Sequence, residues 1–196
     1  MENLLAGTRA YLAGAVEHDK GAKSWREQIT ERLKPYAVQV YDPLVKPSWL
    51  PEICKKDPSL YRPALMGGHD EILSKQDVYD ANVDVRKLCL AHVAAADWII
   101  CYMPIKYTAG TFEEIYLAQK LNKPVFFMIP DGIPSTWMLP MFCTPETQDR
   151  VFFKDWDSMF KYIDQIDSGT VEIDPYQWVS IMYPKGVEDA RSLNNV

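Results

Sequence analysis

No apolar run in this chain approaches the roughly 20 residues that a membrane-crossing helix needs, so no transmembrane span is expected. No basic stretch precedes an apolar segment at the N-terminus, and Met1 to Arg9 therefore does not read as a secretory signal. The four cysteines (Cys54, Cys89, Cys101 and Cys143) form no Cys-x-x-Cys pair. Cys89 and Cys101, set among apolar residues, read as buried thiols. The three histidines (His18, His69 and His92) are too scattered for a metal-ligand spacing. A reducing, cytoplasmic setting without metal or cofactor is the expectation. Basic charge is also short: the net charge is −6, whereas a duplex nucleic-acid binder needs a positive face to displace counterions. A small anionic ligand is still permitted, since a helix N-terminus and a few donors suffice for one. Internal repeats and low-complexity segments are absent.

What is present is an ordinary globular composition, with 47% hydrophobic and 24% charged residues over 196 positions, enough for one domain with its own core. Arg9 to Val16, Ala37 to Tyr41, Asp97 to Met103, Pro124 to Ile129 and Val151 to Lys154 read as strands, several of them apolar throughout. Between them, Ser24 to Leu33 repeats apolar residues at Trp25, Ile29 and Leu33, as a helix face does. Asp70 to Ala96 reads as a helix interrupted near Asn82, with Asp70 as its N-cap after a Gly67-Gly68 hinge. Gly110 to Asn122 is the next helix, with Ile115, Ala118 and Leu121 inward, and Asp155 to Ile166 the last. Strands apolar on both faces and alternating with helices predict an α/β fold: a Rossmann-like or flavodoxin-like parallel sheet of about five strands sandwiched by helices. Residues 43–69 hold five prolines (Pro43, Pro47, Pro51, Pro58 and Pro63), too many for regular structure, and read as a loop able to serve as a lid. Residues 168–196 form a C-terminal extension whose Tyr176, Trp178 and Tyr183 suit docking on its own domain or on another subunit.

Ligands of such sheets lie beyond the carboxyl ends of the strands, which directs attention to the loops after Ala13, Asp42, Met103 and Ile129. The loop after Met103 runs into Gly110-Thr111-Phe112-Glu113-Glu114. Thr111 and Glu114, three apart, fit a capping box, and by itself the pattern reads so. The same geometry also suits chemistry. A carboxylate in the first helical turn is favoured in its ionised form by the helix dipole, and at the mouth of the sheet it can act as a nucleophile. Gly110 would let a sugar approach the backbone, and Gly14 offers the same after the first strand. Asp84 is a helix cap or a sugar-hydroxyl acceptor, with Arg86 as its expected ion partner. Asp97 reads as a loop tie, Trp25 as packing, and Arg26 as a solvated surface arginine or a phosphate contact.

Three stretches together resemble the nucleoside 2-deoxyribosyltransferase family, which is related to deoxynucleotide N-glycosidases and to the phosphoribohydrolases of cytokinin activation. They are Tyr11-Leu12-Ala13-Gly14 followed by Trp25-Arg26, Ala96-Asp97 with its apolar strand, and Gly110 to Ile115 followed by Lys123-Pro124-Val125. The resemblance implies that Glu114 is the nucleophile and that the Tyr11 phenol holds its carboxylate. Spacing to Lys123-Pro124 selects Glu114 over Glu113, as does the Gly-Thr-x-x-Glu pattern of the phosphoribohydrolases. Gly14, Asp84, Gly110 and Thr111 are the candidate substrate-binding residues. The resemblance further implies a small nucleoside or nucleotide as partner and a homo-oligomer. Two departures stand out: Thr108 and Ala109 occupy positions where the family usually carries acids, and Cys89 stands near the place of a usual aspartate. The expected function is cleavage of an N-glycosidic bond through a covalent glycosyl-Glu114 intermediate. The alternatives are a non-catalytic nucleotide sensor on the same scaffold, or a nucleotide phosphoribohydrolase.

Overall fold

The computed structural model describes residues 3–16, 21–56, 61, 74–104, 108–131 and 136–183. Within them the strands are β1 (Arg9–Gly14), β2 (Gln39–Tyr41), β3 (Trp98–Tyr102), β4 (Val125–Met128) and β5 (Phe152–Phe153). The helices are α1 (Ala22–Leu33), α2 (Lys75–Ala95), α3 (Ala109–Lys120), α4 (Leu139–Phe142), α5 (Trp156–Asp167) and α6 (Val179–Met182). The strands form one five-stranded sheet in the order β2-β1-β3-β4-β5, and every pairing is parallel. This is the expected α/β architecture with the strand order of flavodoxin-like folds. Its topological switch point lies between β1 and β3, the place where sheets of this kind bind their ligands.

Period-two side-chain alternation divides the core in two. One face gathers Leu12, Trp25, Ile29, Trp98, Ile100, Phe126 and Met159 beneath α1 and α5. The other gathers Tyr11, Ala13, Cys89, Val93, Ile99, Cys101, Ile115 and Phe127 beneath α2 and α3. Strands buried on both faces account for the unbroken apolar runs of the sequence. Cys89 and Cys101 are buried thiols, as expected. Among the described residues no helix is long and apolar enough to cross a membrane.

Several expectations are corrected. α2 runs without a break through Asn82, whose amide donates to the Val78 carbonyl at 2.9 Å and turns back onto its own helix. Its N-cap is Ser74, in a capping box with Asp77, while the Asp70 cap and the glycine hinge lie outside the described residues. Leu121, expected inward, is 45% exposed because α3 ends at Lys120. The described part of the 43–69 loop packs on α2, which is compatible with its reading as a loop and no correction to it. Leu50 and Cys54 are buried against Ala81 of α2, and Tyr61 is buried against Val78. In the extension, Trp178 is buried against Trp98 and Phe126, so this part of the tail docks on its own core.

Candidate active site

β1 and β3 are neighbours, and α3 begins just past the end of β3, so α3 passes over the switch point of the sheet. Tyr11 lies in the middle of β1, paired with Ile99 on one side and Tyr41 on the other, and is fully buried. From there its hydroxyl donates to Glu114 Oε1 at 2.6 Å. Glu114 is half-buried, and its Oε2 makes no hydrogen bond among the described residues. One carboxylate oxygen is thus anchored while the other is left for an incoming atom.

The capping box between Thr111 and Glu114 does not form. α3 starts three residues earlier, with Thr108 at its N-cap, and the Thr111 hydroxyl meets the Thr108 hydroxyl at 2.9 Å. This puts Glu114 in the second turn, beyond the strongest influence of the helix dipole. Burial dominates instead and pushes the Glu114 carboxyl up to about 7, with the neighbouring Glu113 adding to the rise. The Tyr11 hydrogen bond and the charges of Arg26 and Lys46 pull the other way without cancelling it. The helix-dipole expectation therefore has the wrong sign for this group.

Behind the carboxyl lie Cys89 of α2 and Cys101 of β3, whose thiols are both held up by burial and by the Glu114 charge. The Tyr11 phenol and the Cys89 thiol also act on each other's ionisation. Desolvation raises the Tyr11 phenol well above its ordinary range, with Glu114 and Cys89 adding to it, so Tyr11 acts here as a donor and not as a base.

The remaining candidates separate. Gly110 has open space where a side chain would stand, as a close ligand approach requires. Thr111 is buried beneath the start of α3. At Gly14 the protein itself fills that space. A Cβ there would lie 2.9 Å from Trp25 Cζ2 and 3.0 Å from the Tyr102 carbonyl oxygen, at a φ of +154°. Packing therefore accounts for this glycine. Asp84 stands mid-helix in α2, so it caps nothing. It is five residues before Cys89, a rotation of about 140° on a helix of 3.6 residues per turn, and its charge acts on Cys54. Arg86 pairs not with Asp84 but with Glu113, where its Nε donates at 2.8 Å to Oε2 and its Nη2 to Oε1. That pair ties α2 to α3 beside the carboxyl.

Arg26, expected at the surface, is fully buried. It donates to the Gly14 carbonyl at 2.9 Å and to the Ala22 carbonyl at 2.8 Å, and lies over the Trp25 ring at 4.3 Å. Its Nε is 3.5 Å from Asp42 Oδ1. It thereby joins the ends of β1 and β2 and adds positive charge near Glu114. Asp97 accepts from the Arg9 backbone N–H at 2.8 Å, the tie expected of it. Lys46 escaped the sequence reading altogether. Its position just past β2, in one of the four loops marked by the strand ends, was the available signal.

No family model and no curated protein matches the chain. Among solved structures it is similar to a 2-deoxyribosyltransferase from the psychrotolerant bacterium Bacillus psychrosaccharolyticus, at 18% identity and a TM-score of 0.49, covering 78% of this chain and 90% of that one. It is also similar to a 2-deoxyribosyltransferase from Leishmania mexicana, at 15% identity and a TM-score of 0.48, covering 80% of this chain and 96% of that one.

Proposed function

We propose that this chain is a nucleoside or nucleotide 2-deoxyribosyltransferase or N-glycosidase, with Glu114 as its nucleophile. The observation that carries the reading is the asymmetry of the Glu114 carboxyl. Oε1 is fixed by the buried Tyr11 hydroxyl at 2.6 Å, while Oε2, at the mouth of the sheet, has no hydrogen bond among the described residues. In the first step Oε2 attacks C1′, a C1′–O bond forms, and the C1′–N bond breaks through an oxocarbenium-like transition state. The base leaves with the electron pair of that bond. In the second step an acceptor base or water attacks C1′, the glycosyl ester breaks and the carboxylate is restored. The position of Glu114 within Gly-Thr-Phe-Glu-Glu, and the pairing of that helix with a tyrosine on β1, support this reading over simple nucleotide sensing.

The test is incubation with deoxynucleosides and deoxynucleotides, with and without an acceptor base, alongside their ribo- counterparts. Release or exchange of base, lost on Glu114→Ala and Glu114→Gln with the fold retained, supports the proposal. Binding without release points to a sensor instead, and preference for ribonucleotides to a phosphoribohydrolase.

A further inference from the structure

A departing nucleobase carries the electrons of the broken bond, and it leaves fast only if that charge is neutralised. Thr108, Ala109 and Cys89 carry no carboxyl group that could protonate it. Lys46 lies in the loop after β2, between Tyr41 and Leu50. The segment bearing it is fixed at both ends on α2. On one side, Tyr41 at the end of β2 stacks on His92 with ring centroids 4.8 Å apart. On the other, Leu50 and Cys54 are buried against Ala81. A turn closed by the Val45 N–H on the Asp42 carbonyl, at 3.0 Å, lies between them. Lys46 is therefore led along α2 past Cys89, and its charge is felt at Cys54, Cys89, His92 and Glu114. Lys46 is half-buried as a residue, and among the described residues its ammonium has neither an ion-pair nor a hydrogen-bond partner. Nδ1 of the adjacent His92 is buried and likewise unpartnered.

We infer that Lys46 is a catalytic residue that donates a hydrogen bond to the departing base and neutralises its developing negative charge, in place of a carboxylic acid. This rests on Glu114 being the nucleophile. A held ammonium suits the role because it brings charge and donor together, and three rotatable N–H groups fit a ring nitrogen or an exocyclic oxygen. The base takes both electrons of the C1′–N bond, and Lys46 keeps its proton shared in that hydrogen bond until solvent protonates the base.

The test compares two substrates on the unaltered protein, Lys46→Met and Lys46→Arg. One is 2′-deoxyguanosine, whose base departs with negative charge. The other is its N7-methylated form, which is cationic and whose base departs neutral. The inference predicts that Lys46→Met loses about 100-fold or more in kcat on deoxyguanosine, within the range of a positioned proton donor. On the methylated substrate the loss should stay below about 5-fold, and Lys46→Arg should recover most of the deoxyguanosine rate. Equal losses on both substrates, or none on either, overturn the role of Lys46 while leaving Glu114 in place. Failure of the unaltered protein to cleave either substrate overturns this inference as stated for a purine base, and leaves the reading of Glu114 to the wider substrate series.

Discussion

The Tyr11 hydroxyl donates to Glu114 Oε1 at 2.6 Å, from a fully buried strand residue to a half-buried helix residue 103 positions away in the chain. A hydrogen bond given to the ionised form lowers a carboxyl pKa, so this contact opposes the burial that raises it. Tyr11→Phe should therefore move the acidic limb of the kcat/KM profile to higher pH and lower the plateau by about 10- to 100-fold, as expected for a charge-assisted bond. A pH-rate series on both proteins measures this. An unmoved limb would mean that the phenol does not hold the reactive carboxyl.

A carboxyl held at about 7 in the folded protein, against an ordinary 4.5, binds its proton more tightly folded than unfolded. The stability it contributes is fully present below pH 4.5 and is lost as pH rises through about 7. The full shift corresponds to on the order of 3 kcal/mol. Glu114→Gln keeps the shape and cannot ionise, so its melting temperature should exceed that of the unaltered protein at pH 8 and approach it at pH 4. Denaturation scans across this range check the sign, and a gap that shrinks with rising pH contradicts it.

Arg86 offsets the charge of Glu113, which raises Glu114 from the next position in the helix. In Arg86→Met that charge stands uncompensated, so the acidic limb of kcat/KM should again move up, with little change in melting temperature because the pair is exposed. Calorimetry and a pH-rate profile on one preparation separate the two effects. A large loss of stability with no movement of the limb would make the pair a purely structural clamp.

The two glycines near the sheet mouth should respond oppositely to alanine. Gly14→Ala forces a Cβ to within 2.9 Å of Trp25 and 3.0 Å of the Tyr102 carbonyl, so a loss of about 1–3 kcal/mol is expected. Gly110→Ala meets open space inside α3 and should gain up to about 1 kcal/mol in stability. If a sugar approaches there, the same variant loses activity. Chemical denaturation with parallel assays decides it, and full activity in Gly110→Ala removes Gly110 from the site.

The layout of the fold was legible in the sequence because both faces of the sheet are covered. Runs such as Trp98 to Tyr102 and Val125 to Met128 are apolar throughout, and that pattern has few uses outside a buried parallel strand. Glu114 was legible from its neighbours in the chain, but its state was not. The Thr111–Glu114 spacing matches a capping box, but the helix is already under way at Ala109 with Thr108 as its N-cap, so the box and its dipole effect are not in the structure. Arg26 looked like a surface residue because its partners, the carbonyls of Gly14 and Ala22, are backbone atoms that leave no mark in sequence. The proline-rich segment that carries Lys46 packs on α2 through Leu50 and Cys54, a placement that no local pattern encodes.

The central claim is that Glu114 becomes covalently glycosylated, and the most direct measurement is intact-mass and peptide-level mass spectrometry after rapid quenching with a deoxynucleoside or deoxynucleotide and no acceptor base. A transient adduct with the mass of one deoxyribosyl group, mapped to Glu114 and absent in Glu114→Gln, is the predicted result. Base release by the unaltered protein with no adduct at any time, or an adduct on another residue, would contradict it.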